Sequence, residues 1–331
     1  MSKLRILLSD HSARELSDQV NAICGPEGWT HVTAQDVHSG IATPDVAFIS
    51  REVTGHSTKH RIMPDTQFFY DALLKAQDLK WLQIHSAGAD RQVFLDLLAK
   101  GVMVTTASGA SAGMVAQTAL TGLLSLARRF PQLAEAQRAH EWMPFIKTSM
   151  PPELEGQTAT IVGWGPIGQK LGAWLSAIGL NIVAVRRTAQ ASEAGVNFVS
   201  FEQFLEVLPT TDWLILACPL TAQTTNLLSA DALTRMKATS HVINVSRGAV
   251  IDEPALIAAL ENGRLAGAFL DVFAQEPLPK ESPLWDLPNV ICSPHTAGFS
   301  DSIVARVAQV FIDNLQRWHR RETLINIASL S

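Results

Sequence analysis

The sequence predicts an α/β protein of two domains, one of which is built on a doubly wound parallel sheet. Three observations lead to this fold class. A chain of 331 residues, 47% of them apolar, is long enough for about two domains with substantial cores. Short β-branched runs alternate with helical patterns along most of the chain. A strand, turn and helix unit within residues 158–188 contains a glycine spacing typical of dinucleotide binding.

The glycine-rich turn follows a β-branched run at 158–162. Gly163, Gly165 and Gly168 have the G-x-G-x-x-G spacing, and apolar residues recur at helical intervals over 171–178. We expect Gly163 to allow a tight turn, Gly165 to let a pyrophosphate approach the backbone, and Gly168 to let the helix pack on the strand. The helix N-terminus would offer N–H groups to phosphates. An ordinary glycine-rich turn is the alternative, but the flanking strand and helix favour dinucleotide binding.

Residues 1–108 show the same alternation on a smaller scale. The predicted strands cover residues 4–8, 46–49, 82–85 and 102–105, and the predicted helices cover residues 14–23 and 67–76. A run of small residues, 86–90, follows the third strand. Its backbone N–H groups can face an anion, although a tight turn capped by Asp90 is equally natural.

Strands and helices also alternate after the glycine-rich turn. The predicted strands cover residues 213–217, 241–245, 267–271 and 290–292, and helices begin near Ser200, Ser229 and Asp252. A long apolar helix is expected over 111–129 and a polar connection over 134–155. The last helix, 301–320, should pack on the first domain through one apolar face, formed by Val304, Val307, Ala308, Phe311 and Leu315. The predicted domains are therefore 1–108 with 300–331, and 109–299.

Composition and charge argue against several classes of protein. The formal net charge of −5 gives no basic footprint for nucleic acid. No apolar run approaches the roughly 18 residues of a membrane span. Cys24, Cys218 and Cys292 are isolated, which fits buried thiols in a reducing cytoplasm better than disulfides or a metal site. We therefore predict a cytoplasmic protein with no metal and no nucleic-acid or membrane partner.

Three chemically active residues come shortly after three of the predicted strands. They are Arg247, Glu276 and His295. Ligands of open α/β sheets bind outside the carboxyl ends of the strands, so these side chains should lie at one edge of the sheet. A guanidinium can hold a carboxylate and polarise a carbonyl, while a histidine paired with a glutamate can transfer a proton. Each residue alone would suit an ordinary loop, but the three together favour a reaction site.

Four ordered motifs resemble the D-2-hydroxyacid dehydrogenase family. They lie at 154–168, 245–252, 270–277 and 293–298, and residues 86–90 give an earlier match. The resemblance implies a Rossmann cofactor domain, a second, discontinuous flavodoxin-like substrate domain, D stereochemistry and a homodimer.

The resemblance also implies roles for individual residues. Arg247, Glu276 and His295 would form the catalytic set, and the backbone of Ala87 and Gly88 would bind the substrate together with Arg247 and His295. Asp271 would lie near the nicotinamide carboxamide. With the basic turn described below, the expected cofactor-binding residues are Gly163, Gly165, Pro166, Ile167, Gly168, Arg186, Arg187, Thr188, Cys218, Pro219, Thr225, Val245, Ser246, Asp271, His295 and Ala297.

The chain departs from the family pattern in the first segment between the domains. Ala107 stands where Asn is usual, and residues 114–117 read Met-Val-Ala-Gln where the family carries Val-Ala-Glu. These changes concern the hinge and the pocket lining. A packing role is favoured over pocket lining for Met114 and Trp142. Substrate contact and a structural role are equally natural for three further residues, His85, Arg51 and Trp285.

The strand end after the glycine-rich helix indicates which cofactor binds. Proteins that bind NAD place Asp or Glu about 20 residues beyond the glycines, where it bonds the ribose 2'-hydroxyl. Arg186 occupies this place and is followed by Arg187 and Thr188. Two guanidiniums can pair with a 2'-phosphate, which a carboxylate would repel. A solvated basic turn is the alternative, but the substitution favours NADP(H), with NAD(H) as the second candidate.

These patterns predict an enzyme that uses NADPH to reduce small 2-keto acids, with His295 as general acid and base. The resemblance implies substrates of the glyoxylate or hydroxypyruvate type and D-2-hydroxy acids as products. Two alternatives stay open. One is a nicotinamide-sensing, corepressor-like interaction protein, which the intact Arg, Glu and His set argues against. The other is a short phosphoglycerate dehydrogenase, for which the sequence shows no further basic cluster that would bind a phosphate.

Overall fold

The computed structural model describes residues 3–58, 61–147, 150–188 and 195–329. The chain divides into two compact units. Unit 1 comprises Met1–Ser111 with Ser300–Ser331, and unit 2 comprises Ala112–Phe299.

Both units are built from parallel strands and helices. The strands are β1 (Leu4–Leu7), β2 (Trp29–Val32), β3 (Val46–Ile49), β4 (Trp81–Ile84), β5 (Met103–Thr105), β6 (Thr158–Val162), β7 (Asn181–Arg186), β8 (Val196–Ser200), β9 (Trp213–Leu216), β10 (His241–Asn244), β11 (Gly267–Leu270) and β12 (Val290–Cys292). The helices are α1 (Asp10–Cys24), α2 (Ala34–His38), α3 (Arg51–Thr54), α4 (Pro64–Lys75), α5 (Gln92–Ala99), α6 (Ala112–Ala127), α7 (Phe130–Arg138), α8 (Pro166–Ala177), α9 (Phe204–Val207), α10 (Ala230–Arg235), α11 (Glu253–Glu261) and α12 (Ile303–His319).

Unit 1 contains a parallel sheet in the order β2-β1-β3-β4-β5. This is the flavodoxin-like order, as expected. The central strands β3 and β4 are buried along their whole length. The segments that follow β3 and β4 therefore begin at the carboxyl edge of a rigid sheet.

The last helix, α12, packs on one face of the unit 1 sheet. Val307, Phe311 and Leu315 are buried, and they share a core cluster with residues of β1, β3 and β4. The expected inclusion of Val304 in this face is wrong, because Val304 lies in the first turn of α12 and is 49% exposed. A polar residue, Asn314, is instead fully buried on the packed side, where its amide donates to Gln83 Oε1 at 3.0 Å.

Unit 2 contains a parallel sheet in the order β12-β11-β10-β9-β6-β7-β8. Counted from β6, strands one to six have the doubly wound Rossmann order 3-2-1-4-5-6, and β12 extends the sheet beyond β11. The strand order reverses between β6 and β9. Ligands of such sheets bind at this switch point, outside the carboxyl ends of the strands.

Several helix boundaries follow from capping residues that the sequence makes visible. Ser229 and Asp252 cap α10 and α11 by accepting hydrogen bonds from backbone N–H groups three residues later. The Asn262-Gly263 stop is also confirmed, because Asn262 ends α11 and Gly263 has a φ of 65°.

Several elements were not anticipated, among them the short helices α2 and α3. Strands β2 and β8 are edge strands whose residues are mostly half-exposed, so their sequences lack a continuous apolar run. Helix α7 occupies part of the stretch expected to be a polar connection.

The described residues include no helix long and apolar enough to cross a bilayer.

Candidate functional site

The glycine-rich turn after β6 is tightly packed at two of its three glycines. Gly163 has a φ of 99°, and a Cβ atom there would lie 2.7 Å from both the Ala217 carbonyl oxygen and the Cys218 Cα. A Cβ on Gly168 would lie 2.1 Å from the carbonyl oxygen of Gly163. Both positions therefore require glycine, the first for the turn and the second for the approach of α8 to β6.

Gly165 differs, because a Cβ on it would meet no protein atom within 4 Å. This residue is the N-cap of α8, has extended backbone angles, and provides no side-chain cap for the helix. Pro166 and Ile167 begin the helix beyond it. The open space lies next to a helix N-terminus, whose N–H groups and dipole favour an anion. The turn thus fits the phosphates of a dinucleotide.

The loop after β9 lies against this turn. Cys218 is buried, and burial raises the pKa of its thiol to about 12, so it is a neutral packing residue. Pro219 is exposed, and its carbonyl oxygen accepts a hydrogen bond from Thr224 Oγ1 at 2.7 Å. Thr225 is also exposed and donates to the carbonyl oxygen of Thr221. The loop after β9 is therefore held by its own hydrogen bonds and lies beside the switch point between β6 and β9.

The end of β7 is basic. Arg186 is the last residue of the strand, and its guanidinium carbon lies 5.8 Å from the centre of the Phe198 ring on β8. Arg187 and Thr188 follow as exposed residues. An NAD-specific protein carries Asp or Glu at this place, whereas this chain carries Arg186, whose guanidinium lies near the Phe198 ring.

His295 and Glu276 form a direct pair. The Nδ1 atom of His295 lies 2.7 Å from Oε2 of Glu276, and the His295 side chain is 49% exposed. Burial opposes ionisation of Glu276. However, the bond and charge of His295, the Phe273 N–H and the charge of Arg247 together hold the pKa of Glu276 below its usual value. Nε2 of the oriented ring is then the nitrogen that can face a ligand.

Arg247 is fixed by a turn that begins inside the sheet. Asn244, the fully buried last residue of β10, accepts hydrogen bonds from the N–H and hydroxyl of Ser246 and donates to the carbonyl oxygen of Arg247 at 3.1 Å. Val245 and Ser246 are themselves buried. The sequence analysis missed Asn244, because a buried Asn at a strand end looks like any other polar strand terminus.

Gly248 brings the Arg247 turn against the loop that carries Glu276. A Cβ on Gly248 would lie 1.9 Å from the carbonyl carbon of Phe273 and 2.3 Å from the N atom of Ala274. No side chain fits between the two backbones. Arg247, Glu276 and His295 are therefore gathered at the carboxyl ends of adjacent strands, and we call these three residues the acid–base edge.

Asp271 lies beneath the loop that carries His295. Its carboxylate, 1% exposed, accepts hydrogen bonds from the Ser293 hydroxyl at 2.6 Å and from the N–H groups of Thr296 and Ala297. The Asp271 carbonyl oxygen also accepts from the His295 N–H at 2.8 Å. His295 has a φ of 53°, a conformation that is uncommon for a residue other than glycine. The bonds to Asp271 hold the loop in that conformation, and the expected contact of Asp271 with a carboxamide stays a prediction.

The small-residue loop of unit 1 follows β4. Ser86 Oγ donates to the carbonyl oxygen of Gly88 at 2.8 Å, and the Ser86 carbonyl oxygen accepts from the Ala107 N–H. Ala87 is exposed and Gly88 is half-buried. The Ser86 hydroxyl thus holds the loop in place, while Ala87 and Gly88 remain at least partly exposed to solvent.

Two arginines and a histidine surround this loop, contrary to the expectation of no further basic cluster. His85 directly precedes the loop and Arg91 directly follows it, while Arg51 lies beyond the neighbouring strand β3. Burial, together with the charges of Arg51 and Arg91, lowers the pKa of His85 to about 3. The cluster was missed because Arg51 and Arg91 are far apart in sequence, and the pairing of β3 with β4 brings their segments to one edge of the sheet. We call these three residues the basic edge.

Three further candidates, Trp142, Trp285 and Met114, differ in their exposure. Trp142 is 95% exposed, so the favoured packing role is wrong within this chain. Trp285 is 53% exposed and donates to the carbonyl oxygen of Pro279 at 2.8 Å, which gives it a local structural bond. Met114, in α6, is half-buried.

No group of three or more acidic, histidine or cysteine side chains arranged to hold a metal occurs in the part of the chain that the structure describes.

The sheet order, the glycine-rich turn and the open α8 N-terminus define the class of the protein, which is a dinucleotide-binding α/β protein. The family description "D-isomer specific 2-hydroxyacid dehydrogenase, NAD binding domain" matches residues 120–297. The chain belongs to this family of NAD(P)-dependent oxidoreductases.

Curated relatives have related names. The chain is 33% identical to a glyoxylate reductase of Korarchaeum cryptofilum over 261 residues, which is 77% of either protein. It is 35% identical to glyoxylate/hydroxypyruvate reductase B of Yersinia enterocolitica over 249 residues, covering 73% of this chain and 75% of the relative. It is 30% identical to D-3-phosphoglycerate dehydrogenase of Methanocaldococcus jannaschii over 268 residues, covering 80% of this chain and 50% of the relative.

Among solved structures, a D-isomer specific 2-hydroxyacid dehydrogenase from Xanthobacter autotrophicus Py2, in complex with NADPH and MES, is 26% identical with a TM-score of 0.74. The match covers 99% of this chain and 98% of that one.

Proposed function

We propose that the protein reduces small 2-keto acids of the glyoxylate and hydroxypyruvate type to D-2-hydroxy acids, with NADP(H) as the preferred cofactor. The observation that carries this proposal is the 2.7 Å pair between His295 Nδ1 and Glu276 Oε2, next to Arg247 in a member of this family. The reductase names of the relatives support the direction and the substrate class.

In the proposed reaction, His295 supplies the proton. The ionised Glu276 orients the imidazole and stabilises its protonated form, and Nε2 then donates to the keto oxygen as that oxygen gains charge. Arg247 holds the carboxylate and the keto oxygen, because a guanidinium can bond both at once. Ala87 and Gly88 donate backbone N–H groups to the carboxylate. The reduced nicotinamide, when bound, supplies the hydride.

Unit 2 is proposed as the cofactor domain and unit 1 as the substrate domain. The cofactor would be held by the glycine turn with Pro166 and Ile167, by Cys218, Pro219 and Thr225, and by a second group at the acid–base edge, Val245, Ser246, Asp271, His295 and Ala297. The open space at Gly165 and the uncapped start of α8 support the phosphate contacts.

The preference for NADP(H) rests on the end of β7. Arg186, with Arg187 and Thr188, would bind a 2'-phosphate, while NAD(H) remains the second candidate. Steady-state kinetics with both reduced cofactors tests this point. We expect a higher kcat/KM with NADPH, and Arg186→Asp should reverse the order; a higher value with NADH for the unaltered enzyme would contradict the preference.

A homodimer in the cytoplasm is also proposed. Large apolar side chains that are exposed in and after α7 support the dimer, because apolar surface of this kind is often covered at protein interfaces. They are Phe130, Trp142, Ile146 and Met150. Sedimentation equilibrium tests the oligomeric state, and Trp142→Ser should weaken a dimer that uses this surface.

One alternative gains support from a specific observation. A short phosphoglycerate dehydrogenase would need cationic side chains for a phosphate, and Arg51 with Arg91 provides two. The corepressor-like alternative gains no such support, because the acid–base edge is intact.

The function is tested by an NADPH-oxidation screen over a panel of 2-keto acids. Glyoxylate and hydroxypyruvate should be turned over. Tight NADPH binding without turnover of any keto acid would overturn the enzymatic proposal and favour the sensing protein.

A further inference from the structure

A carboxylate at the start of α11 reaches the loop that carries Glu276. Glu253 Oε2 accepts a hydrogen bond from the Ala274 N–H at 2.8 Å, across 21 residues of the chain. Glu253 is the first residue of α11, and Asp252 caps this helix by accepting from the Ala255 N–H. The Glu253 carboxylate is therefore not needed as a helix cap and bonds a different segment of unit 2.

The segment that joins Arg247 to Glu253 is short and internally bonded. The Val250 N–H donates to the Arg247 carbonyl oxygen at 3.2 Å. The Ile251 N–H donates to the Gly248 carbonyl oxygen at 3.0 Å, which completes a 3-10 turn. Helix α11 begins directly after this turn, so the backbones of Arg247 and Glu253 are fixed relative to each other.

The Glu276 loop meets this segment at two points. The first is the close approach at Gly248, where a Cβ would lie 2.3 Å from the Ala274 N atom. The second is the bond from the Ala274 N–H to Glu253. Because Ala274 is exposed, burial of its side chain does not hold the loop there. The contact at Gly248 stops the loop from moving closer, and the bond to Glu253 stops it from moving away.

The same loop orients the Glu276 carboxylate. Glu276 Oε1 accepts from the Phe273 N–H at 3.2 Å, and Oε2 lies 2.7 Å from His295 Nδ1. Phe273 and Ala274 are consecutive, so the amide that Glu253 bonds is next to the amide that Glu276 bonds. A shift of this backbone would therefore move the Glu276 carboxylate relative to the imidazole ring.

The charge of Glu253 also acts on the strand that precedes the His295 loop. Burial, together with the charge of Glu253, raises the pKa of the Cys292 thiol to about 11. Cys292 is the last residue of β12, from which the His295 loop begins. Glu253 thus lies close to the segments that carry Arg247, Glu276 and His295.

We propose that Glu253 is a positioning residue that holds the Glu276 loop in register with the Arg247 turn, so that Glu276 meets His295 in the geometry required for proton transfer. A carboxylate suits this role because a charged acceptor bonds a backbone N–H more strongly than a neutral one does. The inference rests on the proposed function, since it assigns Glu253 an effect on the proton transfer by His295.

Variants of Glu253 test this role in the full-length enzyme with NADPH and hydroxypyruvate. Glu253→Ala removes the bond to Ala274, and kcat should fall by about tenfold or more, the scale of a small misplacement of catalytic groups. The KM for NADPH should stay within about twofold of the wild-type value, because the cofactor contacts are not altered. Glu253→Gln keeps an accepting oxygen at the same reach and should retain most of the turnover.

The pH dependence of kcat gives a more specific readout. In Glu253→Ala, the alkaline limb of the profile should move to lower pH, because a displaced Glu276 stabilises the protonated imidazole less. Glu253→Gln should keep the wild-type profile. If Glu253→Ala fails to fold, Glu253→Asp takes its place, because its carboxylate is one methylene shorter and should not reach Ala274.

Two controls separate positioning from general stability. Asp252→Ala removes the cap of α11 and should lower Tm, but it leaves the Glu253 bond in place and should keep the wild-type pH profile. Glu261→Ala removes an exposed carboxylate from the end of the same helix and should change neither Tm nor the profile appreciably. A wild-type kcat and profile in Glu253→Ala, or losses that Asp252→Ala reproduces, would overturn the inference and leave the proposed function standing.

A turnover-independent measurement separates the inference from the proposed function. Nitrogen NMR of labelled histidine, assigned with His295→Gln, reports the bond from His295 Nδ1 to Glu276. The Nδ1 resonance should move in Glu253→Ala and keep its position in Glu253→Gln and Asp252→Ala. If the wild type reduces no keto acid, the proposed function fails and this resonance decides the positioning role. A shift confined to Glu253→Ala would then support it, and an unchanged resonance would overturn it.

Discussion

The acid–base edge of unit 2 and the basic edge of unit 1 occupy equivalent places, at the carboxyl ends of parallel strands, but their charges are arranged differently. At the acid–base edge, Glu276 bonds His295 directly, and the charge of Arg247 also acts on it. At the basic edge, Arg51 and Arg91 act on each other, while the nearby Glu52 bonds two serines.

The two edges therefore differ in how their histidine is held, by the Glu276 carboxylate in one and by the Thr54 hydroxyl in the other. A histidine bonded to a glutamate can give up a proton while its ring keeps one orientation, which suits general acid catalysis. We infer that the acid–base edge performs the chemistry.

Replacing His295 should produce the largest change. His295→Gln removes the proton donor while keeping a polar side chain, and kcat should fall by at least about a hundredfold, the scale of general acid catalysis. His319→Gln, at an exposed position of α12, is the control. Near-wild-type turnover of His295→Gln would show that the acid–base edge does not supply the proton.

Asp271→Asn should disturb the acid–base edge without touching the proton donor. Asn has one accepting oxygen where the carboxylate has two, and its amide NH2 would face one of the donors from Ser293, Thr296 and Ala297. The His295 loop should therefore loosen. We expect kcat to fall by roughly tenfold and the stability of folding by about 1–3 kcal/mol. Urea unfolding and steady-state kinetics measure the two effects, and unchanged kcat would show that the loop needs no such support.

Gly165→Ala should separate cofactor binding from folding. The added methyl group meets no protein atom within 4 Å, but it would enter the space assigned to the pyrophosphate. NADPH affinity should fall about tenfold or more, a cost of about 1.4 kcal/mol, while Tm stays near the wild-type value. Gly113→Ala, which also meets no atom within 4 Å, is the control for NADPH affinity and should leave that affinity unchanged. Equal NADPH affinity for both variants would contradict the phosphate assignment.

The smallest effect is expected at the basic edge, as a pH dependence of stability. The pKa of His85 is about 3 in the folded protein, compared with 6.5 for a histidine in the unfolded chain. As pH falls below 6.5, the unfolded chain takes up this proton first, so stability decreases with falling pH down to about 3. Between pH 7 and pH 5, His85→Asn should lose about 1–2 kcal/mol less than the wild type in urea unfolding. Parallel losses in the two proteins would show that the pKa of His85 is not lowered in the folded protein.

The parts of the fold and site that the sequence predicts well are local. Gly163, Gly165 and Gly168 act through their own backbone angles and immediate neighbours, so their spacing reveals the turn. Arg247 and His295 each lie within a few residues of a buried strand. The parallel register of those strands then brings them to one edge without further information.

What the sequence could not predict depends on contacts across the chain. The basic edge needs β3 and β4 to be neighbours before Arg51 and Arg91 meet. The support that Asn244 and Gly248 give to Arg247 depends on a strand end and on the path of the Phe273 loop. A tryptophan such as Trp142 is expected in the core because its side chain is large and apolar. Its exposure becomes visible only in the structure, where it lies outside the helices and strands.

The central claim is tested most directly by following the transferred hydrogen. The enzyme is supplied with NADPH deuterated at the transferring position of the nicotinamide and with hydroxypyruvate, and the glycerate formed is examined by mass spectrometry and chiral chromatography. The account predicts one deuterium at C2 of D-glycerate, with formation strongly reduced in His295→Gln. Glycerate without deuterium, or the L isomer, would contradict it.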